Sequence, residues 1–332
     1  MTNETIRDEE QAELLLLSGG GGGARLAAGL HVATAGEGFS VVTNTGDDFE
    51  HLGLTICPDT DSVLYALSKQ IDPVRGWGRE GESWGVFAEL SKLGGPDWFQ
   101  LGDKDLALHL IRAALLADGL GLCEVTAVLA RRFGVTPAAS IMPATEDRVR
   151  TRVITSEGEM AFQEYFVKHR CEPHLIAVRY EGIEAAKPAV SLVSLLENAV
   201  GRGVDVVLGP SNPFLSLAPI LDVPGMASLL KKRARRVIAV SPIVEGQALK
   251  GPAAKIMSEL GLSVSAAGWM EWMSDRYPEL IDVWVWDERD HELADAARVT
   301  HPNIVVTDTV MSDPERARHF AERILRVSRD GH

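Results

Sequence analysis

The sequence predicts an α/β fold: a Rossmann-like, mostly parallel sheet flanked by helices, with an inserted α+β subdomain. Three observations carry this. Short apolar runs, LLLL, SVVT, VDVVLG, VIAV, DVWVW and NIVVT, recur along the chain, each ending in a Gly, Pro, Asn or Asp cluster. Runs without polar alternation suit strands buried on both faces, as in a parallel sheet covered by helices. The first run leads through five consecutive glycines, Gly19 to Gly23, into an Ala- and Leu-rich helix. Between the second and third runs, from about Ser68 to Lys187, the pattern changes. Helical stretches such as Asp105 to Leu116 alternate there with short strand-like segments, Arg148 to Thr155 and Met160 to Tyr165.

These patterns divide the chain. Residues 1–12 are polar, charged and without periodicity, which predicts a disordered leader. Residues 13–67 and 188–332 form the expected Rossmann-like nucleotide-binding core, and 68–187 the expected inserted subdomain. A chain of 332 residues has room for two average domains, yet α/β folds of this size often share one sheet and one core.

Charge narrows the partners. The formal net charge of −14 opposes binding to nucleic acid or an anionic membrane, both of which require clustered Lys and Arg. The one dense basic run, Lys231-Lys232-Arg233 with Arg235 and Arg236, ends a helical stretch, where cations are favoured without any ligand. Three widely spaced cysteines, Cys57, Cys123 and Cys171, make neither a CxxC pair nor a disulfide framework and fit a reducing compartment. The acidic N-terminus lacks a signal-peptide pattern, and no apolar run approaches the roughly 18 residues that span a bilayer. A cytoplasmic protein is expected.

The loops after the strands carry the candidate chemistry. Gly19, Gly20, Gly21, Gly22 and Gly23 let backbone N–H groups approach a ligand, and the following helix turns its positive end to the same point, which predicts an anion cradle. Its spacing is neither GxGxxG nor a Walker A loop. After the second strand come Asn44, Asp47 and Asp48, followed by Asp59 and Asp61 before a helix. Carboxylates on loops beside a phosphate cradle are the ligands Mg²⁺ takes, together with water and substrate oxygens. Asp61 is assigned to the site and Asp59 to capping the helix that contains Val63 to Leu67. Two further loops place Ser211 and Asn212, between Pro210 and Pro213, and Lys250 near strand ends. Open α/β sheets collect ligands at such ends. Within the middle region, Asp103 and Asp105 start a helix that carries His109 and Arg112. Arg148, Arg150 and Arg152 share one strand face, where they meet either a phosphate or water. His109 reads as a structural histidine and the three arginines as a solvated face. No zinc signature, GxSxG elbow or kinase motif is present.

Taken in order, LSGGGGGARLAAGL, NTGDDFEHLGLTICPDTDSVLY, GWGRE, LGDKDLALHL, PATEDRVRTRV, FQEYFVKHRCEP, GPSNPFLSLAPIL and SPIVEGQALKGPAAKIM resemble the 2-phospho-L-lactate transferase family of deazaflavin coenzyme F-420 biosynthesis. The resemblance implies transfer of a phospholactyl-type group from a guanosine diphosphate-activated donor to the ribityl hydroxyl of the deazaflavin Fo. GMP leaves and a phosphodiester forms, in a Mg²⁺-dependent reaction of a homodimer. It also implies residue roles. Asp61 and Asp48 are the catalytic candidates; Asp61, Gln100 and Asp103 face Fo; Asp47, Asp48 and Asp61 hold the metal. Gly19 to Gly22, Asn44, Ser211, Asn212 and Lys250 surround the nucleotide and its phosphates.

Two positions depart from the family pattern. A larger residue usually stands at the position of Gly21, and Gln100 stands where an Fo-contacting arginine often lies. The main rival reading is a related nucleotide-sugar-binding regulator of the gluconeogenesis-factor type, without turnover. A dinucleotide-dependent oxidoreductase is disfavoured by the missing GxGxxG and ribose-binding acid.

Overall fold

All six apolar runs form strands of one parallel sheet. The computed structural model describes residues 13–36, 38–135, 140–199, 203–248 and 251–330; the predicted leader and Lys250 lie outside them. The chain opens with β1 (Glu13–Ser18), α1 (Gly20–Ala33) and β2 (Phe39–Thr43), then a hairpin, β3 (Phe49–His51) and β4 (Leu54–Ile56), and α2 (Pro58–Leu67). Three helices follow, α3 (Gly85–Lys92), α4 (Asp103–Ala117) and α5 (Leu122–Arg132), and then β5 (Ser140–Pro143), β6 (Arg150–Thr155), β7 (Gly158–Ala161) and β8 (Leu175–Glu181). The second half runs α6 (Val190–Asn198), β9 (Val204–Leu208), α7 (Ala218–Leu221), α8 (Met226–Arg233), β10 (Ala234–Val240), a small hairpin β11 (Ile243–Val244) and β12 (Gln247–Ala248), and α9 (Ala253–Glu259). It closes with α10 (Ala266–Arg276), β13 (Val283–Asp287), α11 (His291–Ala297), β14 (Ile304–Thr307) and α12 (Pro314–Asp330).

The main sheet has the order β14-β13-β10-β9-β1-β2-β5, and every neighbouring pair is parallel. From β1 the chain winds outward through β2 to β5, returns to β9 and winds the other way to β14. The reversal puts a topological switch point between β1 and β9, the crevice where open α/β sheets bind ligands.

The middle region differs from the single insertion expected over 68–187. Its strand β5 pairs with β2, from Ser40 opposite Ser140 to Thr43 opposite Pro143, and is the edge of the main sheet. The stretch therefore divides into helices α3 to α5 before that strand and a three-stranded sheet, β7-β6-β8, after it. An edge strand pairs on one side only and tolerates a proline, so SIMP shows no apolar run. The alternation expected from Met160 to Tyr165 stops at Ala161, and a π-helical turn covers Glu164–Lys168.

Alternation along β1 feeds two cores. Leu15 and Leu17 face one layer with Trp269, Trp284 and Trp286. Leu14 and Leu16 face the other with α1 and the apolar side of α12, including Phe320 and Ile324. Each fully buried leucine contributes about 1.5–3 kcal/mol. Of the basic run, Lys231 to Arg233 form the last turn of α8. Arg235 instead pairs with buried Asp205, and Arg236 donates to the Val327 and Ser328 carbonyls, tying β10 to the end of α12. Among the described residues no single helix is long and apolar enough to cross a membrane; the bent pair Pro213–Leu221 and Met226–Arg233 passes by length and composition alone, and its first member is buried in the core.

Helix α1 lies directly on α12. A Cβ placed on Gly29 would stand 2.3 Å from the Ala317 carbonyl oxygen. Gly29→Val should cost about 1–3 kcal/mol or more through overpacking, read as a lower urea midpoint. An unchanged midpoint would show that the two helices can separate freely.

Candidate functional site

The ends of β1, β2 and β9 bring three loops together at the switch point. Helix α1 begins at Gly20, so four of the five glycines make its first turn and Gly19 is the capping residue. Packing requires them. A Cβ on Gly19 would lie 2.3 Å from the Ser216 side chain, on Gly22 2.3 Å from the Pro210 carbonyl oxygen, and on Gly23 2.3 Å from the Ser18 hydroxyl. The glycine run thus lets α1 close onto the loop after β9. Gly21 is helical, in place of the looser loop its small size suggests.

Side chains then tie the loops. Ser211 Oγ accepts from the Gly19 N–H at 3.2 Å and donates to the Gly19 carbonyl at 2.8 Å. Asp59 accepts from the Gly20 N–H at 2.5 Å and from Asn44 Nδ2 at 2.9 Å. Asn44 Nδ2 also donates to the Leu215 carbonyl at 3.0 Å, while its Oδ1 accepts from the Gly46 N–H at 2.7 Å. Asn44 and Ser211, expected at the phosphate, are thus engaged in holding the loops. Asp59, expected to cap its own helix, is the clamp. What remains open toward a ligand is the Gly21 and Gly22 N–H groups, which have no intrahelical acceptor, with two buried atoms lacking partners, Asn212 Nδ2 and Ser18 Oγ.

Beside this turn the Gly46 loop buries Asp47 and Asp48, and the Oδ1 of each has no hydrogen-bond partner. Burial pushes the Asp47 carboxyl well above the usual range, with Asp59 and Asp48 adding to the rise. Burial likewise pushes Asp48 up to about 8 against the opposing pull of Arg150, and Asp59 to about 6 against its bonds from Asn44 and Gly20. Such carboxyls are held toward the neutral form, and an opposite charge beside them would favour the ionised form. Among the described residues no group of three or more His, Cys, Asp or Glu has metal-holding geometry. A pair of carboxylates still suits a hard cation that keeps water and substrate oxygens, as Mg²⁺ does.

Asp61 is placed differently. Its two oxygens face the Arg112 guanidinium, with Nη1 at 3.1 Å and Nη2 in direct contact, and both residues are buried. Arg112 Nη1 also reaches His109 Nδ1 at 2.9 Å and the Thr55 carbonyl at 3.3 Å, and His109 Nε2 lies 3.4 Å from Asp105. Asp61 therefore anchors α4 to α2. Each Asp61 oxygen already accepts from Arg112, so a further partner there would share an oxygen with the guanidinium.

Comparison with known proteins fits these loops. The family model described as 2-phospho-L-lactate transferase CofD matches residues 14–325. The chain belongs to the 2-phospho-L-lactate transferase CofD family. It is 36% identical over 303 residues to a 2-phospho-L-lactate transferase of Methanosarcina mazei, covering 91% of this chain and 96% of that protein. It is 37% identical over 267 residues to a phosphoenolpyruvate transferase of Mycobacterium leprae, covering 78% of each. A crystal structure of a UPF0052-family protein from Bacillus halodurans superposes with a TM-score of 0.61 at 14% identity, over 95% of this chain and 99% of that one, which shows a shared fold.

In this CofD-family chain the residues expected on the acceptor side do not all converge. Asp103 accepts from Ser83 Oγ at 2.7 Å and from the Gly85 and Val86 N–H groups at 3.0 and 3.1 Å, so it caps α3. Glu82 reciprocates by accepting from the Lys104 and Asp105 N–H groups at the start of α4. A carboxylate with three such donors has a structural task at the start of α3. Gln100 is exposed on the loop before α4. What reaches toward the acidic loop is aromatic: Phe49, directly after Asp48, packs on Phe99 at 4.8 Å between ring centroids, and His51 packs on Trp98 at 5.5 Å. The cavity lined by His51, Phe87, Leu90 and Phe99 holds only about 10 Å³. Asp59, Arg112 and this aromatic group are absent from the sequence-derived site, although Phe49 and Phe99 adjoin residues that belong to it.

Two outcomes follow. Arg112→Leu leaves Asp61 charged and buried, at a cost of about 3–5 kcal/mol, and Asp61→Leu/Arg112→Leu should recover much of that loss; simple additivity of the two single variants in urea titrations would contradict the pair. For Asp48 and Asp59 the folded acid is weaker than the unfolded one, so the folded state holds more protons between about pH 4 and 8. Their contribution to stability is present below the unfolded value and lost as pH rises through 6 and then 8. Metal-free protein should therefore melt at lower temperature at pH 8.5 than at pH 6; a rising melting temperature would contradict the burial.

Proposed function

We propose that the protein transfers a phospholactyl-type group, carrying lactate, enolpyruvate or glycerate, from a guanosine diphosphate-activated donor to the ribityl hydroxyl of the deazaflavin Fo, with release of GMP. The observation that carries the reading is that the first turn of α1, at the β1/β9 switch point, adjoins the loop after β2, where one oxygen each of Asp47 and Asp48 is buried without a partner. Family membership supports it, since the matched relatives are named as 2-phospho-L-lactate and phosphoenolpyruvate transferases, which makes this chain a transferase of coenzyme F-420 biosynthesis.

In this reading the Gly21 and Gly22 N–H groups and the Asn212 amide receive the donor's phosphates. Asp47 and Asp48 would hold Mg²⁺, whose chemistry is to neutralise charge on the transferred phosphate. Asp48 is the carboxylate placed to take the proton of the attacking hydroxyl. Fo lies over the Phe49, Trp98 and Phe99 surface. Covalent catalysis has no support from Cys57, whose thiol burial pushes well above its usual range. Positioning and charge neutralisation supply the rate. The proposal extends to a homodimer acting in the cytosol.

The test is turnover. Protein with Mg²⁺, Fo and each of the three activated donors should release GMP and yield a phosphodiester of Fo, and Asp48→Asn should lower kcat on the order of 10²- to 10³-fold. Absence of GMP with all three donors would overturn the transferase reading and favour binding without turnover.

A further inference from the structure

Three arginines share one face of the β6 segment, and they separate in the fold. Arg148 and Arg152 converge on Glu181 at 3.2 and 2.7 Å. Arg150 goes elsewhere. Its Nη1 donates to the Val149 carbonyl at 2.8 Å, its Nη2 lies 3.7 Å from Glu50, and its Nε is buried without a partner. The neighbouring Thr151 N–H donates to the Gly46 carbonyl at 2.7 Å. The β6 segment thus brackets the acidic loop, touching Gly46 on one side of Asp47 and Asp48 and Glu50 on the other.

We propose that Arg150 is the residue that binds the carboxylate of the acid carried by the donor. This rests on the transferase reading above, and it goes beyond it by naming what reads the acid. Lactate and enolpyruvate phosphates carry a carboxylate next to the ester carbon, and glycerate phosphates carry one within two carbons of it. That carboxylate must enter beside Asp47, Asp48 and Asp59, and an anion brought unpaired into such a place is strongly disfavoured. The guanidiniums within the described part of the site are Arg112 and Arg150. Arg112 is consumed by Asp61. Glu50 competes weakly for Arg150, being at 3.7 Å and half exposed. A guanidinium also offers the planar fork that a carboxylate fills with two hydrogen bonds. Of the two described guanidiniums, Arg150 is the one with a buried Nε that has no protein partner.

The test compares two donors, lactyl-diphosphoguanosine and ethyl-diphosphoguanosine, the second lacking only the carboxylate. Wild-type protein should prefer the lactyl donor by on the order of 10²-fold in kcat/KM. Arg150→Gln should lose that preference by slowing the lactyl donor on the order of 10²-fold while changing the ethyl donor less than about threefold. Arg150→Lys, which keeps charge but not the fork, should fall between. Equal losses on both donors would overturn the proposal, placing Arg150 at the diphosphate or behind Asp48. So would a wild-type enzyme that does not distinguish the donors, a measurement that needs no variant to fold. Wild-type protein inactive on both donors, and on the other two acids, would instead overturn the transferase reading itself.

Discussion

The carboxylate of Asp59 joins three segments that the chain keeps apart. It accepts from the first N–H of α1 and from the Asn44 amide after β2 while standing in the first turn of α2. Asn44 extends the link to the Leu215 carbonyl in the loop after β9 and to the Gly46 N–H. Removing this carboxylate would leave a buried amide and a buried N–H short of an acceptor, each costing about 1–3 kcal/mol. The arrangement of every other group at the switch point follows from it. The first turn of α1 is fixed against the β9 loop, and the Gly46 loop is drawn inward far enough to bury Asp47 and Asp48.

That clamp explains the division of labour among polar residues of similar type. Of the four buried aspartates between β2 and the first turn of α2, Asp59 is spent on the loops and Asp61 on Arg112, and Asp47 and Asp48 each keep one oxygen with no protein partner. Burial raises both carboxyls, so each is held toward its neutral form unless an opposite charge lies beside it. The glycines follow the same logic. They are needed less for freedom of the backbone than for the 2.3 Å approaches that Ser216, Pro210 and Ser18 would make to any side chain.

Much of the fold was legible because burial on both faces leaves a mark on composition. Six strands announce themselves as apolar runs; β5, an edge strand ending in Pro143, carries no such mark, and its omission turned a divided region into one insertion. At the candidate site the glycine run Gly19 to Gly23 and the adjacent Asp47-Asp48 pair stand out in the sequence by composition alone. The site was illegible where partners decide it. Nothing local in CPDTD tells Asp59 from Asp61, because their roles are set by Gly20 and Asn44 in one case and by Arg112, 51 residues away, in the other. Asp103 starts a helix and so looks available, yet its donors come from the start of α3. The family resemblance named a reaction class that no periodicity contains, and its residue roles carry over best where this chain's own hydrogen bonds leave an atom free.

The proposed function assigns a divalent cation to Asp47 and Asp48, each with one oxygen that has no protein partner, and the donor's phosphates to the first turn of α1. The direct measurement is Mn²⁺ binding followed by electron paramagnetic resonance, with Mn²⁺ standing for Mg²⁺, on wild-type protein and on Asp47→Asn/Asp48→Asn, with and without GDP. The account predicts one ion per chain, bound more tightly when GDP is present, and loss of that ion in the double variant while the thermal midpoint is kept or raised. An ion bound equally well by the double variant, or indifferent to GDP, would contradict it.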